Sequence, residues 1–305
     1  MNCLASTFKY TLGKPFIAKN LTRAMASFTP DTYKTLVVHV PKQFVVHVEL
    51  NRPDKLNAMN HTMWLEIGEC FDSLSENEEC RVIILSAAGK IFTAGLDLSG
   101  MLSLGQEIAE QEDVARKSKI LRKLITTYQK SISSLERCPK PVISAVHGAC
   151  IGGGMSLITA ADIRYATKDA WFTLKEVDIG LTADVGALQR LPRIIGNQSL
   201  VNEIAFTARK IEAAEARECG LVSKLYDDKE SLLAGAIELG ELIASKSPVA
   251  VQGTKKTLVF SRDHTVEEGL NQVADYNSAM MQGEDFLNAA MSQATKSPPP
   301  IFSKL

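Results

Sequence analysis

The feature that most limits how this chain can fold is a run of glycines caught between a strand and a helix. Pro141–Val146 is an apolar, β-rich segment, and a helix is expected near Met155–Ala161. Gly148-Ala149-Cys150-Ile151-Gly152-Gly153-Gly154 joins them. Three successive glycines strip the crossing of side chains, so another backbone or a ligand can approach it closely. A helix that starts there presents unpaired N–H groups and the positive end of its dipole, a place for a phosphate or a developing oxyanion. The plainer alternative is a tight crossing packed on another backbone. The run is not GxGxxG, and no Lys-Ser/Thr follows it, so neither the dinucleotide nor the Walker fingerprint applies.

The rest of the first half alternates strands with helices. Leu36–Val40 and Phe44–Leu50 read as a hairpin turning at Pro41-Lys42-Gln43. Asn60 is placed to cap a helix carrying Met63, Ile67, Phe71 and Leu74 on one face. Arg81–Ser86 is a buried strand, residues 106–136 a long charged amphipathic helix, and Ile163–Ala166 and Ala170–Leu174 short strands. From about residue 184 the chain reads as nearly all helix, in segments 185–195, 198–208, 212–219, 229–246, 248–260 and 265–280. The pattern predicts an α/β layer with parallel strands and a helical C-terminal third that packs on it or reaches a neighbouring subunit.

Composition excludes several classes. The net charge is −1, so no overall field favours nucleic acid or an anionic membrane. No stretch approaches the roughly 20 apolar residues that span a bilayer. Cys3, Cys70, Cys80, Cys138, Cys150 and Cys219 are scattered and form no CxxC pair, which suits free thiols in a reducing compartment. The five histidines show neither HxxxH nor HExxH spacing, so a structural metal is not expected. The two ends look like addresses. Residues 1–30 carry Lys9, Lys14, Lys19 and Arg23 and no acid, as a mitochondrial transit peptide or a disordered basic tail would. The chain ends in Ser303-Lys304-Leu305, the tripeptide that a peroxisomal import receptor reads at a free C-terminus. Pro298-Pro299-Pro300 keeps that end extended and accessible.

Two more segments can carry chemistry. Phe92-Thr93-Ala94-Gly95-Leu96-Asp97-Leu98 follows a buried strand and could supply a second backbone N–H, or could be a plain turn capped by Asp97. Lys175-Glu176-Val177-Asp178-Ile179-Gly180, then Asp184, puts two carboxylates around a loop. Taken singly, these would be a solvated charge at Glu176 and a helix cap at Asp184.

Together the segments RPDKLNAM, GKIFTAGLDL, HGACIGGGMSL and FTLKEVDIGLTADVGALQRLPRIIG resemble the crotonase (enoyl-CoA hydratase/isomerase) family, over about residues 36–280. The resemblance implies a ClpP/crotonase-like spiral of ββα units with a helical C-terminal region. Its implied division is a leader at 1–33, a spiral core at 34–230, a trimerisation region at 231–297 and a tail at 298–305. It also implies trimers that pair into hexamers. It assigns an acyl-CoA thioester as substrate, with an oxyanion hole from the N–H groups of Ala94 and Gly153 and with Ala94, Gly95, Leu96, Asp97 and Leu98 along the acyl-CoA. KEVDIGLTADVG with QRLPRIIGNQSLVNE is similar to the dienoyl-CoA isomerase branch.

That branch implies Asp184 as base and Glu176 as acid in moving a 3,5-diene to a 2,4-diene, with no metal, nucleotide or redox cofactor. Ser156 stands where the branch and the hydratases carry a carboxylate, which speaks against a hydratase. A 3-enoyl to 2-enoyl isomerase using Glu176 alone, and a non-catalytic acyl-CoA-binding scaffold, are the alternatives. His147 and Asp162 are read as structural, Arg52 and Lys55 as able to approach CoA phosphates, and Phe286 and Lys296 as able to reach an acyl-CoA. Localisation is expected in the peroxisome, with the mitochondrion open through the leader.

Overall fold

The computed structural model describes residues 32–111 and 113–305, so the leader apart from residues 32 and 33 lies outside the described residues, as does Cys3. The chain opens with an antiparallel pair, β1 (Leu36–Lys42) and β2 (Val45–Leu50), in the register Leu36↔Leu50. The turn falls on Gln43-Phe44 rather than on Pro41-Lys42-Gln43, and Phe44 takes φ 64°. The Arg81 guanidinium lies 4.0 Å over its ring, a contact that offsets the cost of a bulky residue in the left-handed region.

Helix α1 (His61–Glu76) follows, with the Asn60 side chain accepting from Met63 N–H as its cap. Next come β3 (Val82–Ala87), α2 (Leu98–Ala109) and α3 (Val114–Arg137). The single helix expected over 106–136 is therefore two. Asp113 breaks it by accepting from Arg116 N–H at 2.9 Å, which starts α3 afresh. Then β4 (Val142–Val146), β5 (Ala149–Ile151), α4 (Gly153–Ala160), β6 (Ile163–Thr167) and β7 (Trp171–Thr173) complete the first half.

The second half holds α5 (Ala187–Ile194), α6 (Gln198–Thr207), β8 (Ile211–Glu212), α7 (Ala213–Glu218), β9 (Lys224–Tyr226) and α8 (Lys229–Ala244). Then come α9 (Pro248–Phe260), α10 (Val266–Met280) and α11 (Glu284–Thr295). The strands β8 and β9 correct the all-helical reading. They are two and three residues long, too short for an alternation to register. Helix α11 was also not foreseen.

The main sheet runs β1-β2-β3-β4-β6-β9, parallel from β2 onward, and β5-β7-β8 form a smaller one. A parallel sheet is covered on both faces, and the strand residues divide accordingly. Ile83 and Leu85 enter the larger core with Met63, Ile67 and Phe71 of α1 and Ile132 and Leu135 of α3. Val82 and Ile84 face the opposite way, against Leu232 and Ala236 of α8. This period-two division explains why β3 is apolar at every position but one. Each such side chain, fully buried, contributes about 1.5–3 kcal/mol.

His147 and Asp162 are structural, as expected. His147 Nε2 meets Gly89 C=O at 3.0 Å, and Asp162 takes Val142 N–H at 2.8 Å and Lys255 Nζ at 2.7 Å. The tail is not helical, as the prolines predict, but it is docked. Arg81 Nη2 donates to the carbonyls of Phe302 and Ser303 at 2.8 and 2.9 Å, and Lys304 pairs with Glu79. Among the described residues no helix is long and apolar enough to cross a membrane.

Candidate active site

Two loops meet at the start of α4. Thr93 N–H donates to Ala149 C=O at 3.0 Å and Ile151 N–H to Thr93 C=O at 3.1 Å, so the 92–97 segment is zipped beside β5. At the crossing there is no room for side chains. A Cβ on Gly95, at φ 85°, would lie 2.7 Å from Ile151 C=O, and one on Gly154 would lie 2.4 Å from Thr93 Cγ2. The glycine run thus serves a backbone crossing and a helix start at once, which joins the two readings left open by its spacing.

The amides at this crossing correct one expectation. Ala94 N–H is occupied, donating to Leu56 C=O at 2.9 Å. Its neighbour Leu96 pairs with Met59 through a bridge that uses Met59 N–H to Gly95 C=O (2.7 Å) and Asp97 N–H to Met59 C=O (3.2 Å). Successive N–H groups of an extended segment point to opposite sides, so Leu96 N–H turns away from Met59. It has no partner among the described residues. Gly153 N–H is the first of α4, where no intrahelical acceptor exists. Leu96 and Gly153 therefore each bring a free amide to this crossing. The choice depends on pairing with Met59, which lies in another segment of the chain.

Leu96 and Gly153 both border a cavity of about 200 Å³. Its apolar wall includes Trp64, Leu121, Leu124, Ile125, Tyr128 and Ile179. Ala94, Gly95, Leu98 and Gly152 also border it. Asp97, expected along the ligand, does not. Its carboxylate is tied to Arg52 Nη1 at 2.9 Å and Ser99 Oγ at 2.6 Å, and the Ser99 bond, then Arg52, holds it below the usual carboxylate range. Arg52 is engaged there and with Ala58 C=O. Phe286 lies in a separate groove beside α9, and Lys296 is the left-handed residue that ends α11; neither borders this cavity.

Glu176 and Asp184 open onto the same cavity. Glu176 begins a 3₁₀ turn just after β7 and is 8% exposed, and its Oε2 has no hydrogen-bond partner. Burial pushes its carboxyl above the usual range, and the charge of Asp184 adds to the effect. Asp184 lies in the loop before α5, whose cap is Gly186, so it is not a helix cap. Gln129 Nε2 holds its main-chain carbonyl at 2.7 Å, and burial raises its carboxyl as well. Both carboxyls are therefore raised, Glu176 by burial and by the charge of Asp184, and Asp184 by burial.

Ser156 is fully buried and does not border the cavity; its Oγ accepts Ala187 N–H at 3.2 Å. Trp64 and Tyr128 were missed from sequence. Their rings stack at 4.7 Å and 15°, and Tyr128 Oη meets His61 Nδ1 at 2.9 Å. On helices α1 and α3 they look like ordinary core positions, and only the meeting of those helices at the cavity distinguishes them. Among the described residues no group of three or more His, Cys, Asp or Glu side chains could hold a metal ion.

Two unpaired amides, two carboxyls with raised pKa and an apolar wall define a site for acid–base chemistry on a carbonyl compound with an apolar tail. Residues 41–300 match the family described as enoyl-CoA hydratase/isomerase, and the chain belongs to that family. It is 54% identical over 266 residues to the Homo sapiens protein named "Delta(3,5)-Delta(2,4)-dienoyl-CoA isomerase, mitochondrial", covering 86% of this chain and 80% of that one. The Arabidopsis thaliana protein "Delta(3,5)-Delta(2,4)-dienoyl-CoA isomerase, peroxisomal" is 45% identical over 279 residues, covering 91% of this chain and all of that one. Among solved structures, an enoyl-CoA hydratase from Bacillus anthracis superposes with a TM-score of 0.78 at 29% identity, covering 88% of this chain and 99% of that chain.

Proposed function

We propose that this protein is a dienoyl-CoA isomerase that converts 3,5-dienoyl-CoA to 2,4-dienoyl-CoA. The observation that carries the reading is that Glu176 and Asp184 open onto one apolar cavity beside the free amides of Leu96 and Gly153. The relatives' names support the same substrate class.

The chemistry needs each of these groups. Leu96 and Gly153 N–H grip the thioester oxygen and stabilise the charge it gains when C2 loses a proton; losing one such donor typically costs about 100- to 1000-fold in rate. Ionised Asp184 removes the C2 proton, the electrons shift along the conjugated segment, and protonated Glu176 delivers a proton to C6. Two transfers far apart along one chain suit two carboxyls with different pKa values. No metal, nucleotide or redox cofactor takes part, and acyl-CoA is the substrate alone. Because Ser156 lies outside the cavity, its replacement of a carboxylate leaves both proton-transfer groups in place.

The exposed apolar residues of the C-terminal helices, Leu258, Leu270, Phe286 and Leu287, support a trimer or hexamer in solution. Ser303-Lys304-Leu305 supports recognition by a peroxisomal import receptor, and the basic leader a second route to the mitochondrion.

The test is a spectrophotometric assay of purified protein with 3,5-dienoyl-CoA beside 3-enoyl-CoA and 2-enoyl-CoA. Rising conjugated-diene absorbance from the first, lost by about 10²- to 10⁴-fold in both Asp184→Asn and Glu176→Gln, is the expected result. Full rate in Asp184→Asn with 3-enoyl-CoA as the better substrate would instead identify a mono-enoyl isomerase. Acyl-CoA binding with no turnover would identify a non-catalytic scaffold.

A further inference from the structure

Asp184 and Glu176 each border the acyl cavity and a second cavity of their own. Asp184 also borders a polar cavity of about 870 Å³, with Gln129, Glu136, Gln189, Arg190 and Arg193. Gln129 and Gln189 are exposed, so this cavity reaches the surface. Glu136 fixes Arg190 at 2.8 Å and also pairs with Arg262, so these two guanidinium groups are each engaged by a carboxylate other than Asp184. Glu176 also borders a cavity of about 180 Å³, with Thr182, Leu188, Ala205 and Phe206. Phe206 is 74% exposed, so this cavity too lies at the surface. No hydrogen bond joins the two carboxyls to each other.

This arrangement bears on a problem that the reaction creates. In one turnover the C2–H bond breaks and its proton goes to Asp184, while a C6–H bond forms with the proton of Glu176. Asp184 ends neutral and Glu176 ends charged, the reverse of the starting state. The enzyme must be reset before the next turnover. Either the proton crosses from Asp184 to Glu176 inside the acyl cavity, or each group exchanges with water.

Resting on the proposed isomerase reading, we propose that both carboxyls are reset from behind, through their rear cavities. Asp184 gives the C2 proton to water in the polar cavity, and Glu176 takes a proton from water through the smaller one. The net proton count is zero and no other reactant is needed. The acyl chain can remain seated while this happens, because neither route passes through the cavity it fills.

Deuterium labelling tests this. With wild-type enzyme in H₂O and 3,5-dienoyl-CoA dideuterated at C2, the product should carry only protium from the enzyme at C6. Glu176→Gln cannot protonate C6, so its bound dienolate can only be reprotonated at C2. In D₂O this variant should therefore exchange the substrate's C2 proton for deuterium while forming no 2,4-diene. That exchange requires Asp184 to trade its proton with the acyl cavity occupied.

Deuterium carried from C2 to C6 in the wild type, or a Glu176→Gln variant that leaves C2 unexchanged, would overturn the rear-exit route. For the cavity behind Glu176, Ala205→Leu fills it and Thr182→Val removes a hydroxyl with little change of shape. Each should lower kcat several-fold at unchanged KM, and wild-type kcat in both would overturn that half. A wild-type enzyme that leaves 3,5-dienoyl-CoA unconverted refutes the isomerase reading itself, a result separate from all of these.

Discussion

The hydroxyl of Ser156 on α4 accepts the N–H of Ala187, the first residue of α5, at 3.2 Å. Both residues are fully buried, and the bond ties the helix that carries the glycine run to the helix that follows Asp184. Gly186, the cap of α5, has no side chain to supply that acceptor. Ser156→Ala should therefore cost about 1 kcal/mol of stability, as loss of a capping acceptor does. KM should stay unchanged, because residue 156 does not border the acyl cavity. Urea denaturation and steady-state kinetics check the two parts, and a raised KM would show that Ser156 reaches the substrate after all.

The pH dependence follows from the two carboxyls. In the proposed mechanism activity needs Asp184 ionised and Glu176 protonated. Rate should rise with pH as Asp184 ionises and fall again as Glu176 loses its proton, giving a bell. Both limbs should lie above the usual carboxylate range, since burial raises both groups. Asp184→Asn removes a charge that raises Glu176, so the residual activity of that variant should lose its alkaline limb at lower pH than the wild type. A kcat/KM profile from pH 4 to 9 measures this, and an unmoved alkaline limb would separate it from Glu176.

The same burial has a stability cost of known sign. The folded-state pKa of Glu176 is raised above its unfolded value, so the folded protein binds the proton more tightly. Stability from this group is present below the unfolded pKa and is lost as pH rises through the folded pKa. Glu176→Gln keeps the shape and removes the charge. At neutral pH it should unfold at higher urea than the wild type with the same m-value, and the gap should close in acid, where both side chains are neutral. An enzyme less stable with Gln at 176 would mean that the carboxylate has a partner in the folded state.

How far these residues could be read from sequence depended on where their partners lie. The buried strand at Val82–Ala87 and the glycine run were legible because their composition alone reports burial and close approach. The motif resemblance named Glu176, Asp184 and Gly153, and the three line one cavity. That the Ala94 amide is engaged by Leu56 and the Leu96 amide is not could not be read from sequence, because which amide of an extended segment is free depends on its pairing with Met59, 37 positions away from Leu96. Asp97 was misplaced because its ion pair with Arg52 spans 45 positions. The break between α2 and α3 turned on one cap, Asp113, within a run whose charges suit a continuous helix. The strands β8 and β9 exist through pairing with β7 and β6, so two or three residues of sequence could not announce them.

The docked tail yields the last prediction. Arg81 holds the carbonyls of Phe302 and Ser303, and Lys304 pairs with Glu79, so the final tripeptide is fastened by its backbone and by one side chain. A receptor that reads Ser303-Lys304-Leu305 in an extended groove needs those same groups. Leu305 is 51% exposed and can be met first, but Lys304 must leave Glu79 and the Ser303 carbonyl must leave Arg81. Glu79→Gln removes the ion pair alone. It is the gentler probe, because Arg81 also donates to Ala244 C=O and stacks on Phe44. Exposed ion pairs contribute little, typically about 0.2–1 kcal/mol, so the gain should be modest, up to a few-fold. Fluorescence-polarisation titration of full-length protein with a purified tripeptide-binding receptor domain should show tighter binding by Glu79→Gln, and digestion by carboxypeptidase should trim its C-terminus faster. Equal affinity and equal trimming in variant and wild type would mean that the tail leaves the body without cost.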